Sequence, residues 1–221
     1  MLTFALQEIV SVKRHRVASV ELLIRASDNP LGGACDIVDG LSALDSARIF
    51  KEGVSYAQKL MSGHGHRIHP HVNLSRKDFV EFLCNWTTNL DGITIEVCEG
   101  SVSSALIDQL ISKVHALHGK VAIDDYLSKD WESAWLLDHQ WDLVKIDRTF
   151  WEYTDQEQQE IVRLLGNYQV CIEGVETASQ FDQSQNLSLA YAQGYWLGKP
   201  WIHEGAPTFS LSTSHESVFA I

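Results

Sequence analysis

Carboxylates punctuate the apolar runs of this chain at intervals that composition alone does not explain. Glu21 lies within the run Val20–Ile24 and Glu96 within Ile93–Val97. Asp124 and Asp125 follow Val121–Ile123, and Glu173 follows Val170–Ile172. Lys145 is embedded in Leu143–Ile146, Asn73 stands at the end of Ile68–Leu74, and Gln193 follows Leu189–Ala192. Gathered in one partly dry cleft, such carboxylates repel and cannot all stay ionised near neutral pH. A single lysine does not balance them; bound divalent cations would. Carboxylate oxygens with an Asn carbonyl select hard ions such as Mg²⁺ or Mn²⁺ over zinc. The adjacent pair Asp124-Asp125 could bridge two ions about 3.5–4 Å apart, an arrangement suited to in-line attack on a phosphate ester. Taken singly, each acid is more commonly a helix N-cap or a solvated loop residue. Lys145 would simply face solvent if its strand lay at an edge. Polar groups on seven separate strands are poorly accounted for in that way.

The elements that must position these groups alternate. Apolar, β-branched runs at Thr3–Val12, Val17–Ile24, Ile68–Leu74, Ile93–Val97, Val121–Ile123, Leu143–Ile146, Val170–Ile172 and Leu189–Ala192 read as strands. Asp45–Met61, Lys77–Thr87, Val102–Leu117, Trp131–His139, Asp155–Leu165 and Ala178–Leu187 read as helices. This alternation predicts an α/β fold of βαβ units with a largely parallel sheet. Eight strands point to a TIM-like (β/α)8 barrel, although a doubly wound open sheet fits the same alternation. In a barrel, the C-terminal strand ends converge on one mouth, where active sites form. Lys13–Arg16 is too short for a crossover helix, so the first strand should pair antiparallel with the second.

With 221 residues and no linker or composition break, the chain reads as a single domain, residues 1–221. The Ser- and Thr-rich stretch Ala206–Ser217 is expected to fray. A net charge of −12 argues against general nucleic-acid binding, which needs a basic surface. No apolar run approaches the roughly 20 residues of a membrane span, and no signal peptide is expected at Met1–Ser11. Four scattered cysteines, Cys35, Cys84, Cys98 and Cys171, suit a reducing cytoplasm.

At this level of detail the chain resembles the EAL-domain family of cyclic di-GMP phosphodiesterases. The signature Glu-Ala-Leu with its trailing Arg is matched by Glu21-Leu22-Leu23-Ile24-Arg25, with Leu for Ala. Asn73-Leu74-Ser75, Glu96-Val97-Cys98-Glu99, Asp124-Asp125 and Lys145-Ile146-Asp147 follow in the family's order. Glu173-Gly174-Val175-Glu176 and Gln193-Gly194-Tyr195 are complete, and Gln7-Glu8-Ile9 keeps part of the opening motif. The resemblance runs from about Phe4 to Trp201. It implies metal ligation by Glu21, Asn73, Glu96, Asp124, Asp125 and Glu173, with two Mg²⁺ or Mn²⁺ ions. It implies that Lys145 holds the attacking water and that Glu173 assists its deprotonation. Gln7, Arg25 and Gln193 would bind substrate, Arg25 gripping a phosphate. Glu99 and Glu176 would support the loop after the Asp-Asp pair. The reaction implied is hydrolysis of cyclic di-GMP to linear pGpG in the cytoplasm, with a homodimer or a regulatory protein as further partner. A catalytically silent cyclic di-GMP receptor and a protein-interaction module are the alternatives.

Two departures qualify that resemblance. The family continues Asp-Asp with Phe-Gly-Thr-Gly, whereas this chain reads Tyr126-Leu127-Ser128-Lys129. Glycine permits φ > 0, so Leu127 and Lys129 are expected to impose a different backbone path. The segment between Ala26 and Asp45 also lacks the family's pattern. Trp131 and Trp135, four apart, form an apolar stripe that either packs on the barrel or meets a partner. The remaining tryptophans read as core or pocket residues. His64, His66, His69 and His71 lack a ligand spacing and read as a solvated loop.

Overall fold

The structure, a computed structural model, describes residues 1–31, 40–65, 67–97, 104–127 and 138–210. Cys35, His66, Cys98, Glu99, Lys129, Trp131 and Trp135 lie outside them. Strands β1 (Leu2–Ser11), β2 (Arg16–Ala26), β3 (Pro70–Leu74), β4 (Thr94–Val97), β5 (Lys120–Tyr126), β6 (Leu143–Ile146), β7 (Val170–Ile172) and β8 (Tyr191–Gln193) pair in sequence order. β8 then pairs with β1 through Ile9↔Gln193, Val10↔Ala192 and Ser11↔Tyr191, which closes the ring and removes the open-sheet alternative. β1 runs antiparallel to both neighbours, and every pairing from β2 to β8 is parallel.

Helices α1 (Ala43–Gly63), α2 (Phe79–Asn85), α3 (Ser104–Ala116), α4 (Asp155–Leu164) and α5 (Ala178–Asn186) cover the barrel among the described residues. Their starts follow from local chemistry. Thr154 with Glu157, and Thr177 with Gln180, form capping boxes at α4 and α5. Ser42 accepts from the Asp45 amide at the head of α1. One face of α1 buries Ile49, Phe50, Val54, Ala57, Leu60 and Met61, and each large side chain stabilises the docking by about 1.5–3 kcal/mol.

The barrel interior is layered by the two-residue period of its strands. Ile9, Ala122, Leu143 and Cys171 form a small apolar cluster of their own. Two residues further on stand Asp124 on β5, Lys145 on β6 and Glu173 just past the end of β7, which places the polar residues one layer nearer the C-terminal mouth. Cys171 is therefore a buried hydrophobe, as expected, while Cys84 is exposed.

Three expectations need correction. Of the tail expected to fray, Thr208–Phe209 form β10, which pairs with Leu2 and Thr3, just as β9 (Trp201–Ile202) pairs with Ala5 and Leu6; residues 211–217 lie outside the described residues. Trp86 and Trp141 are core residues and Trp201 lines a cavity, as expected, whereas Trp196 is half exposed. Leu127 does not push the backbone out of the region that glycine favours, because its φ is +75°. That conformation costs leucine about 1–2 kcal/mol. It is held because the Leu127 carbonyl accepts from Thr149 Oγ1 at 3.1 Å and the side chain packs on the core. Leu127→Ala should lose packing and keep the strain, whereas Leu127→Gly loses both. Chemical denaturation should therefore find the Gly variant more stable than the Ala variant by about 1 kcal/mol, the reverse of the usual order.

Candidate metal centre

Lys145 stands at the middle of the polar layer and is 1% exposed. Its Nζ lies 3.1 Å from Glu21 Oε2, 3.0 Å from Glu96 Oε2, 2.7 Å from Asp124 Oδ1 and 2.9 Å from Glu173 Oε1. Three N–H donors thus face four carboxylates. The edge-strand alternative for Lys145 is excluded. Glu96 is wholly buried, and side-chain exposure rises through Glu21 and Asp124 to 18% at Glu173, so the cluster opens towards the mouth.

The neighbouring residues fix these carboxylates. Asn73 Nδ2 donates to Glu21 Oε1 at 2.9 Å, and Gln193 Nε2 donates to Glu21 Oε2 at 2.7 Å. Gln193 also reaches Gln7 Oε1 at 3.3 Å, and Gln7 donates to the Gly198 carbonyl at 3.3 Å. Glu173 is placed by its amide, which donates to the Ile146 carbonyl, and by its carbonyl, which accepts from Trp151 Nε1 at 2.8 Å. The loops after β7 and β8 lock together through Val175 N to Gln193 O and Trp196 N to Val175 O, both 3.0 Å. Gly194 is required there, since a Cβ would collide with the Val175 backbone. Asp147 caps the turn Arg148–Glu152 by accepting from the Thr149 amide, which explains its place after Lys145 in the sequence.

Charge in this layer is unevenly held. Burial pushes the Glu21 carboxyl up, but Lys145 and the bonds from Asn73 and Gln193 outweigh it and hold it at about 2. Burial, reinforced by Glu21, drives Glu96 well above the carboxylate range. Burial likewise raises Asp124 and Glu173 in spite of Lys145. Asp125, desolvated and beside Asp124, is raised to about 7. Burial would lower Lys145, but Asp124, Glu173, Glu21 and Glu96 together hold it well above its ordinary value.

These residues fit a cation. Two triads of carboxylate oxygens, Glu21/Glu96/Asp124 and Asp124/Asp125/Glu173, each lie within 4.8 Å of one another and share Asp124. Gln193 Oε1 is buried without a protein partner among the described residues. The donor set is oxygen throughout, the chemistry of hard divalent ions.

A pH dependence follows from the raised groups. The folded protein keeps a proton on Asp125 that the unfolded chain has lost between about pH 4 and 7. That contribution to stability is complete below about pH 4 and gone above about pH 7. Glu96, Asp124 and Glu173 act in the same direction. Glu21 acts oppositely, but only as pH falls from about 4.5 to about 2. Thermal melts in chelator should therefore show Tm falling as pH rises from about 5 to 8, with Mn²⁺ abolishing the fall. A chelator profile that rises over this interval would contradict the assignment.

The other sequence-derived residues are placed as follows. Arg25 lies four residues beyond Glu21 on β2, on the same face by strand alternation, and donates to the Ile24 carbonyl at 2.7 Å. Glu176 is exposed, and its side chain makes no hydrogen bond or ion pair among the described residues; its amide donates to Gln180 Oε1. The loop it would support lies largely outside them. The histidine expectation fails at one position. His64 and His69 are exposed, but His71 is buried with Nδ1 2.6 Å from Glu96 Oε1. Its pairing of Glu21↔His71 across β2 and β3 could not be read from the spacing of the histidines.

The EAL domain family model matches residues 1–200, and the chain belongs to that family. It is similar to an EAL domain protein of Listeria monocytogenes EGD-e at 24% identity, covering 90% of this chain and 88% of that one, TM-score 0.73. It is similar to a standalone EAL protein of Vibrio cholerae O395 in its cyclic di-GMP-bound form, at 22% identity over 91% and 93%, TM-score 0.74. Klebsiella pneumoniae BlrP1, in a manganese and cyclic di-GMP complex, aligns at 25% identity and TM-score 0.72. That alignment covers 90% of this chain and 56% of BlrP1. No curated protein matches the chain. No helix among the described residues is long and apolar enough to cross a membrane.

Proposed function

We propose that this protein is a metal-dependent phosphodiesterase that hydrolyses cyclic di-GMP to linear pGpG. The observation that carries the reading is the pair of carboxylate triads sharing Asp124 and gathered around Lys145. Glu21, Asn73, Glu96, Asp124, Asp125 and Glu173 would hold two ions, Mg²⁺ or Mn²⁺. When bound, such ions supply an acidified water and neutralise charge on the phosphate. Lys145 orients the attacking water, and Glu173, whose carboxyl burial makes more basic, takes its proton. The water oxygen bonds to phosphorus, the P–O3′ bond breaks and the 3′ oxygen receives a proton. Arg25 grips a phosphate through its donor fork, and Gln7 and Gln193 line the substrate side. The family resemblance would give Glu99 and Glu176 the support of the loop after Asp125.

The chain acts as a single domain over residues 1–221, in the cytoplasm, where the free thiols Cys84 and Cys171 persist. A homodimer or a regulatory protein is its further partner. Lys129, which stands where the family has its second glycine, favours a second reading, a cyclic di-GMP receptor without turnover.

Incubation with cyclic di-GMP and Mn²⁺ or Mg²⁺, with products separated by chromatography, decides between these. The expected product is pGpG, lost in chelator. Binding without product would replace the enzyme by the receptor, and neither would leave an interaction module.

A further inference from the structure

Glu96 is the deepest of the clustered carboxylates, and its two oxygens have different partners. Oε2 meets Lys145 Nζ at 3.0 Å and Oε1 meets His71 Nδ1 at 2.6 Å. His71 and Glu96 are both buried, on adjacent strands, with His71 paired to Thr94 two residues before Glu96. No motif of the family resemblance contains His71, and nothing in the reading of the site above uses it.

A glutamate carboxylate rotates easily about its last torsion, which is broad and roughly two-fold. Glu96 belongs to the Glu21/Glu96/Asp124 triad, so the direction of its Oε2 decides whether that triad converges. A hydrogen bond on Oε1 from the side away from Lys145 sets the plane of the carboxylate. We infer that His71 is a positioning residue for the cation site: its Nδ1–H holds Glu96 Oε1 and thereby aims Oε2 into the triad. The inference rests on the reading of the cluster as a metal centre.

The tautomer is consistent with this role. A carboxylate that coordinates a cation carries no proton, so His71 must be the donor in the pair. With Glu96 ionised as a ligand, the tautomer that satisfies the 2.6 Å contact is the one with its proton on Nδ1. His71 also borders a cavity of about 310 Å³ lined by Ser19, His69, Thr94, Lys120, Asp142 and Tyr191. His69, Thr94, Lys120, Asp142 and Tyr191 begin strands or precede them, and Ser19 precedes the β2–β3 pairing, so the cavity lies at the barrel end opposite the carboxylate mouth. A small molecule can therefore reach the His71 position without passing the metal centre.

The test measures Mn²⁺ affinity directly, by calorimetry or by the signal of free Mn²⁺ in electron paramagnetic resonance, alongside turnover. His71→Ala should weaken Mn²⁺ binding about 10–100-fold. The Mn²⁺ concentration that half-activates turnover should rise in parallel, with kcat at saturating Mn²⁺ kept. His71→Asn, whose amide nitrogen falls near the Nδ1 position, should restore affinity, and His71→Gln, which places it near Nε2, should not. Added imidazole, entering through the opposite cavity, should rescue the Ala variant. Thermal melts in chelator report folding for each variant, and a merely structural role would move Asn and Gln alike without rescue. Unchanged Mn²⁺ affinity in His71→Ala, or rescue by Gln and not Asn, would overturn the positioning role while leaving the metal centre intact. If the unaltered protein binds no Mn²⁺, or binds it undiminished after Glu21→Gln, the metal-centre reading fails and this inference falls with it.

Discussion

Lys145→Met will lower the melting temperature of the metal-free protein and stop the proposed cyclic di-GMP cleavage, and Mn²⁺ will recover the fold but not the turnover. The side chain is 1% exposed and its Nζ lies within 3.1 Å of four carboxylates. Met keeps most of the volume and removes the charge, so the variant isolates electrostatics from packing. Removing one partner of a buried ion set costs about 3–5 kcal/mol, because the charges left behind are unpaired. For a chain of this size that is on the order of 10 °C in Tm. The deficit should shrink at pH 5, where protons can replace the lost ammonium, and widen at pH 8. Divalent ions offset the repulsion in the same way. They cannot replace an N–H donor to the attacking water, so kcat should stay about 10²–10⁴-fold low even at saturating Mn²⁺. A Met variant that cleaves at the unaltered rate would remove Lys145 from the reaction.

Asp124→Asn carries the second large effect. Among the described residues Asp124 alone belongs to both triads, so in the proposed two-ion site its carboxylate would link the two cation positions. Asparagine keeps the shape and removes the charge that a bridging ligand must supply. Calorimetric titration should find both ions weakened in Asp124→Asn. Glu21→Gln, which touches only the Glu21/Glu96/Asp124 triad, should leave one ion in place. Loss of metal stabilisation worth several kcal/mol at the transition state should lower cleavage by about 10³-fold or more. Two ions still bound tightly in Asp124→Asn would show that the triads do not share this ligand.

The sequence carried the parts of this site whose information is local. A polar group at the end of an apolar run marks a strand end, and seven such marks in order implied a mouth where Glu21, Glu96, Asp124, Lys145 and Glu173 could meet. Helix starts were equally legible, since Thr154 and Thr177 stand three residues before Glu157 and Gln180. What escaped depends on register and distant packing. His71 looked like one of four loop histidines because its partner, Glu96, is 25 residues away on another strand. The eighth strand lies about two residues later than its apolar run, because Leu189 is buried before the pairing with β1 begins. Thr208 and Phe209 have the composition of a frayed end, and only the open edge of β1 makes them a strand. Leu127 argued against a glycine-like backbone on residue type alone; Thr149 and the core behind it decide otherwise.

The antiparallel first strand has a consequence for how the chain reaches this state. β1 is made before the other strands, yet three of its four partners lie between residues 191 and 209. During synthesis the β1–β2 hairpin can form at once, but the far edge of β1 stays unpaired until almost all of the described chain has left the ribosome. Contacts of such long sequence separation make closure slow, and an open edge of Leu2–Ser11 is the surface on which two nascent chains would join. Barrel closure is thus the late event in folding, and β1 is the strand whose pairing is completed last.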